Sequence, residues 1–282
     1  MGNAPAASKA NLDWTHLSFG FTPTDCNIRY TFRDGKWDGG VLSSDLTIPL
    51  HIAATCLHYG QQCFEGLKAF ETRAGDVVLF RVEENARRMM HSARKILMEP
   101  PPEAMFIEAV ERVVTANRRF VPPHGTGASL YVRPLLIGSG GEVGVKPASE
   151  YTLLIFVTPV GPYFKTGFKP VDMIVEEDVD RAAPLGVGDA KVGGNYAASL
   201  RAGVGARAKG FADVVYLDAK HKKYIDESGP ANFFAITADD RYVTPESATI
   251  LPSITNKSLI TLADEMGLNP QRRPVEIEEI FD

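Results

Sequence analysis

The chain has 282 residues, of which 44% are hydrophobic, 23% charged and 9% aromatic. That length suggests about two domains with room for a sizeable core, and the composition excludes disorder or a collagen-like repeat for the whole. Thirty basic side chains against thirty-five acidic ones give a formal charge of −5, which leaves no basic excess to bind a phosphate backbone and excludes nucleic acid as an expected partner. Cys26, Cys56 and Cys63 are too few, and odd in number, for a secreted disulfide scaffold, so the expected location is the cytoplasm.

The first residues, Met1 to Ala10, are polar and lack the apolar stretch of a signal peptide, and Ala6 stands where a myristoylation signal needs Ser or Thr. The most apolar runs, such as Tyr151 to Val160, are far shorter than the ~20 residues that cross a bilayer. No membrane partner is expected. Asn27 to Phe32 alternates polar and apolar residues and is followed by Asp34-Gly35, which predicts a hairpin. Arg73 to Asp76 predicts the turn of a second one, between Leu67–Phe70 and Val77–Phe80. Ala86, Met89, Met90, Ala93, Ile96 and Leu97 then follow a helical period, with Glu83 and Glu84 at the positive end of the helix dipole and Pro100-Pro101-Pro102 as the stop. Met105, Phe106, Ala109, Val110, Val113 and Val114 form the stripe of a second helix ending before Pro122-Pro123.

Two β-rich runs follow, Ser129–Ile137 and Tyr151–Val157, joined by a glycine-rich loop. A turn-prone stretch after Pro159 is expected to link two domains, with boundaries at 1–158, 159–170 and 171–282. In the second half the pattern predicts strands at Asp172–Val175, Asp213–Leu217, Ala231–Thr237 and Tyr242–Val243. It predicts helices at Tyr196–Lys209 and Thr255–Met266, with Gly210 and Gly267 in C′ positions. An α/β protein without internal repeats is expected.

Gly138-Ser139-Gly140-Gly141-Glu142-Val143-Gly144 lacks the last glycine of a dinucleotide loop and is not followed by a helical pattern, so it reads as a hairpin loop. No Walker loop, zinc-type spacing or Gly-x-Ser-x-Gly elbow occurs in the sequence. Gly186-Val187-Gly188-Asp189-Ala190-Lys191-Val192-Gly193-Gly194-Asn195-Tyr196 places one lysine among small residues. Such a backbone lets a flat molecule approach, and a desolvated lysine loses its proton more readily, as a Schiff-base amine must. Taken alone, a solvated lysine on a glycine-rich loop is the commoner outcome, as are a core-packed Tyr196 and an exposed turn acid at Glu227. Ile254 and Thr255 open an amphipathic helix whose free amides suit a phosphate, although an ordinary helix start is commoner.

In order, five segments resemble the branched-chain amino acid aminotransferases, within the fold type IV pyridoxal phosphate enzymes: Tyr59–Phe70, Leu79–Arg88, Ser129–Pro134, Pro159–Phe164 and Lys191–Tyr196. The resemblance runs from about Phe19 to the last residue. It implies a small N-terminal α/β domain, a larger C-terminal open-barrel α/β domain and pyridoxal 5′-phosphate between them. The implied reaction is reversible transfer of the amino group between leucine, isoleucine or valine and 2-oxoglutarate, by a ping-pong route. Lys191 would carry the cofactor as a Schiff base and then move the proton. Tyr196 would bond the ring phenolate oxygen, Glu227 would pair with the pyridinium nitrogen, and Arg88 with the Ile254 and Thr255 amides would hold the phosphate. Phe19, Tyr59, Phe64, Tyr131 and Tyr163 would line the substrate pocket, and Arg133 would reach the side-chain carboxylate of glutamate.

The resemblance also implies a homodimer, with Gly138–Gly144 as the loop lent to the neighbour. Two departures stand out. Gly229-Pro230-Ala231 replaces the family's Gly-Thr-Met, and the chain stops at Asp282, where the family continues through a Gly-Thr-Ala segment. The expectation is a C-terminally incomplete domain that holds its cofactor weakly. Two other readings stand beside the main one: another fold type IV enzyme, such as a D-amino acid aminotransferase or an aminodeoxychorismate lyase, and a non-catalytic pyridoxal phosphate-binding remnant.

Overall fold

The computed structural model describes residues 8–162, 167 and 169–281. The chain divides into two compact units, Met1–Phe168 and Lys169–Asp282. In this chain the first unit is thus the longer, whereas the resemblance implies a larger second domain.

The first unit is built on an eight-stranded sheet. Its strands are β1 (Asn27–Arg33), β2 (Lys36–Trp37), β3 (Val41–Ser43), β4 (Gln62–Phe64), β5 (Leu67–Glu71), β6 (Val77–Leu79), β7 (Ser129–Gly138) and β8 (Tyr151–Val160). Both expected hairpins form: β1 pairs with β2 across Asp34-Gly35, and β5 pairs with β6 across the Arg73–Asp76 turn. β7 and β8 pair antiparallel from Ser129↔Val160 to Gly138↔Tyr151, so the glycine-rich segment does turn a hairpin. β8 runs on to Val160, past the end that its apolar pattern suggests.

Among the described residues this unit has three α-helices, the short α1 (Thr55–His58), then α2 (Val82–Lys95) and α3 (Glu103–Ala116), and a 3-10 turn at Arg118–Phe120. α2 and α3 pack on each other and on the sheet. Strand alternation decides which residues they cover. Leu130, Val132 and Leu136 of β7 and Leu153, Ile155 and Val157 of β8 are fully buried, as are Met89, Phe106, Val110 and Val113 of the helices. The alternate β7 residues Tyr131, Arg133 and Leu135 are only partly buried, so this sheet face is left for another task.

The second unit repeats one device twice. β9 (Met173–Glu176) leads through α4 (Gly193–Ala208) to β10 (Asp213–Leu217), which lies parallel to β9. β11 (Ile225–Ser228) and β12 (Ala231–Asn232) complete this four-stranded sheet. β13 (Ala235–Ile236) and β14 (Arg241–Pro245) then lead through α5 (Ile254–Glu265) to β15 (Asn269–Arg273), parallel to β14. In such units helix N-termini gather at the C-terminal ends of the strands, where ligands bind. Ala202 and Ala206 of α4 pack against Val214 and Tyr216. Val215, Leu217, Ile225, Val243 and Val275 form a second core. Gly210 and Gly267, at φ 90° and 79°, end the two helices as expected.

One expected strand is divided. Ala231–Thr237 reads as a single apolar run, but Ala231-Asn232 pairs with β11 and Ala235-Ile236 with β14. Between them Phe233 packs into the second core and Phe234 stacks on Tyr242 with ring centroids 4.9 Å apart. The run carries the chain from one sheet to the other. β15, with the sequence Asn-Pro-Gln-Arg-Arg, gave no strand signal; it is an edge strand, where proline and charge are tolerated.

Candidate active site

In the second unit the structure brings Lys191, Tyr196 and Glu227 together. Lys191 lies just before α4 and Tyr196 in its first turns, and Lys191 Nζ donates to Tyr196 Oη over 2.7 Å. Asn195 fixes this turn: its side-chain amide donates to the carbonyls of Val187, at 2.8 Å, and Ala190, at 3.0 Å. Asn195, Tyr196, Ser199, Glu227 and Leu251 line one pocket. The Lys191 ammonium also acts electrostatically on the Glu227 carboxyl.

Glu227 is a buried strand residue, 4% exposed, and not the turn acid that its neighbours Ser228-Gly229-Pro230 suggest. Its Oε1 accepts from the Leu251 amide at 2.8 Å and from Asn232 Nδ2 at 3.2 Å, and its Oε2 lies 3.3 Å from Arg181 Nη1. Burial pushes its carboxyl up to about 7, against the lowering effects of Arg181, the Leu251 amide and Lys191. The next residue back, Asp226, points to the opposite side of the strand, accepts from Thr249 Oγ1 at 2.8 Å, and is also pushed up by burial.

A carboxyl raised in the folded state binds its proton more tightly there than in the unfolded chain. The stability it contributes is therefore complete below its unfolded value, 4.5, and is lost as pH rises through about 7. For the cofactor-free protein we expect Glu227→Gln to gain stability relative to the parent by about 3 kcal/mol between these limits. Urea unfolding of both proteins across this range measures it. A stability difference that does not change with pH would contradict the assignment.

α5 is capped by Ser253, whose side chain accepts from the Asn256 amide. Helix geometry leaves the preceding amides, those of Ile254 and Thr255, without intrahelical partners and suited to an anion. The groups that this unit's own residues supply fit the chemistry of pyridoxal phosphate. They are a primary amine for the aldehyde, a hydroxyl beside it, a buried acid for the ring nitrogen and helix-start amides for a phosphate.

In the first unit, Phe19, Phe64, Tyr131 and Arg133 come together. Arg133 lies over the rings of Phe64 and Tyr131, at 4.9 and 5.2 Å, and its Nη2 donates to Tyr131 Oη over 3.0 Å. Phe19 meets Tyr131 edge-on at 5.4 Å. Arg133 has no ion-pair partner among the described residues, and its Nε is buried without a hydrogen bond, so the group is suited to a carboxylate. Tyr59 is placed elsewhere, at the end of α1, and donates to the Val143 carbonyl of the glycine-rich loop. Tyr163 lies outside the described residues.

Arg88 on α2 is engaged bidentately by the fully buried Glu65, through Nε at 2.7 Å and Nη2 at 2.8 Å, and Asn85 donates to the same carboxylate at 2.7 Å. Sequence reasoning missed Glu65 and Arg181. Glu65 lies inside a quoted motif, and a charge between the apolar strand residues Phe64 and Leu67 was the available signal. Arg181, alone ahead of a glycine-rich loop, offered none.

A family model described as amino-transferase class IV matches residues 62–282. The chain belongs to that family. It is 47% identical over 276 residues to the branched-chain-amino-acid aminotransferase of Haemophilus influenzae, and 46% over 272 residues to that of Helicobacter pylori. Each match covers 96% of this chain and 80% of the relative. The branched-chain amino acid aminotransferase of Escherichia coli superposes with a TM-score of 0.76 at 27% identity, covering 92% of this chain and 80% of that one. An aminotransferase from Brucella abortus, solved bound to the co-factor PLP, shares the fold with a TM-score of 0.67 at 23% identity, covering 90% and 84%.

Proposed function

We propose that the chain catalyses reversible transfer of the amino group between a branched-chain L-amino acid (leucine, isoleucine or valine) and 2-oxoglutarate, with pyridoxal 5′-phosphate as cofactor. The observation that carries this reading is the Lys191 amine held against the Tyr196 hydroxyl beside the buried Glu227 carboxyl. When bound, the cofactor supplies the aldehyde that accepts the amino group and the ring that draws electrons from the substrate.

In this reading Lys191 tethers the cofactor and moves the proton at the substrate Cα, which requires its amine to be neutral in the working step. Tyr196 donates to the ring oxygen and Glu227 holds a proton at the ring nitrogen. In the second unit the amides of Ile254 and Thr255 suit the phosphate; Arg88, which Glu65 orients within the first unit, is the side chain to which the family resemblance gives the same role. The aromatic group of Phe19, Phe64 and Tyr131 receives an aliphatic side chain, and Arg133 receives the carboxylate of glutamate or 2-oxoglutarate. A cytoplasmic homodimer belongs to the same proposal. It is supported by the unpaired Cys26, Cys56 and Cys63 and by Val143 and Val145, which are 86% and 87% exposed on the glycine-rich loop.

Gly66 tests the substrate assignment. A Cβ at this position would fall 2.2 Å from Tyr131 Oη, so Gly66→Ala must displace the tyrosine and break its bond to Arg133. The expected result is a rise of roughly tenfold in KM for 2-oxoglutarate, the equivalent of one hydrogen bond to a charged group, with little change in melting temperature. The direct test of the function is a panel of amino donors with 2-oxoglutarate as acceptor, followed by glutamate formation. Leucine, isoleucine and valine should be used and D-alanine should not; use of D-alanine in their place, or release of pyruvate from aminodeoxychorismate without any glutamate, would assign the chain to another branch of its fold.

A further inference from the structure

The second unit holds a buried charge to which the reading above gives no role. Arg181 is 9% exposed. Its Nη1 faces Glu227 Oε2 at 3.3 Å, its Nη2 donates to the Thr249 carbonyl, and its Nε is buried without a partner. A guanidinium stays charged at every working pH, and enclosing one is costly unless a carboxylate answers it. Here that carboxylate is the one assigned to the ring nitrogen.

We propose that Arg181 is a positioning residue that fixes the angle of the Glu227 carboxylate and keeps it charged, so that the shared proton stays on the cofactor's ring nitrogen. The inference rests on the reading of Glu227 as the ring-nitrogen partner. Two bases, the ring nitrogen and the carboxylate, compete for one proton. Burial favours the neutral carboxylic acid, and so does the neighbouring carboxyl of Asp226. Arg181 and Lys191 oppose them from the loop ahead of α4, with Arg181 the stronger, while Asn232 and the Leu251 amide add neutral donors. The Tyr196 hydroxyl lines the same pocket. Of the two cations, Lys191 is consumed by the chemistry, because its amine must be neutral in the working step. Arg181 is the permanent charge. Its planar fork also spans Glu227 and the Thr249 carbonyl together, which a single ammonium does not do in the same way.

The experiment uses the holoenzyme loaded with pyridoxal phosphate isotope-labelled at the ring nitrogen, whose NMR shift reports protonation directly, together with cofactor affinity by fluorescence titration. The native protein should show a protonated ring. Arg181→Gln should move the shift toward the neutral ring at the same pH and weaken cofactor binding by roughly tenfold or more, the equivalent of one pKa unit. Arg181→Lys should restore the protonated shift while cofactor binding stays weaker than in the parent. A protonated ring in Arg181→Gln, or equal displacement in both variants, overturns the proposal and leaves Arg181 structural. If Arg181→Gln does not fold, the lysine variant decides alone: a protonated shift supports the proposal and a neutral one overturns it. A neutral ring in the native protein would remove the reading of Glu227 itself, a separate failure.

Discussion

Replacing Lys191 by alanine is expected to abolish the borohydride-fixable link between protein and cofactor and to lower turnover by roughly a thousandfold or more. Two functions are lost at once. In the proposed function the amine tethers the cofactor as nucleophile and carries the proton as base, a role worth about 10²–10⁴ in rate by itself. The Tyr196 hydroxyl, 2.7 Å away, cannot replace it, because an ordinary phenol is a poor base near neutral pH. The fold should survive, since Lys191 lies outside the helix that follows it and Asn195 holds that turn through backbone carbonyls. Cofactor retention after borohydride, measured by mass spectrometry, and steady-state turnover with leucine decide the matter. An active variant that still fixes cofactor would remove Lys191 from its role.

The second large effect separates the two substrate classes. Arg133→Ala should weaken 2-oxoglutarate and glutamate by about 2–5 kcal/mol, the cost of leaving a charged group unpaired, and affect leucine much less. The asymmetry follows from the surroundings of the guanidinium. It is stacked on Phe64 and Tyr131, donates to the tyrosine hydroxyl, and has no acidic partner among the described residues. In the proposed function that charge serves a dicarboxylate, while an aliphatic chain meets the rings. Comparing kcat/KM for leucine and for 2-oxoglutarate in the variant measures the difference. Equal losses would show that Arg133 supports the sheet and does not read substrate.

Local physics explains which parts of this molecule could be read from its sequence. The turns at Asp34-Gly35 and Arg73–Asp76, the stripe of α3, that of α2 as far as Ala93, and the glycines that end α4 and α5 are set by residues close in sequence and appear where expected, whereas α2 stops at Lys95 and leaves Leu97, expected in its stripe, exposed at φ 54°. The division of Ala231–Thr237 between two sheets was not legible, because an apolar run carries no mark of which neighbour it pairs with. β15 was hidden for the opposite reason, as an edge strand needs little apolar character. At the site, glycine content singled out the Lys191 loop, but only the resemblance raised that lysine above a solvated one. Glu227 looked like a turn acid because its burial comes from Leu251, Asn232 and Arg181, which are brought to it by other elements. The Arg88–Glu65 and Arg181–Glu227 pairs have no periodic signature, since each joins residues that meet only in the fold.

Passage of an amino group from a branched-chain amino acid through the protein's own cofactor to 2-oxoglutarate can be followed in the absorbance spectrum of the purified protein loaded with pyridoxal phosphate. Addition of leucine without acceptor should convert the aldehyde form of the cofactor to its amine form, and subsequent 2-oxoglutarate should restore the first spectrum with release of glutamate. A spectrum that leucine, isoleucine and valine all leave unchanged, in protein shown to hold the cofactor at Lys191, would contradict the account.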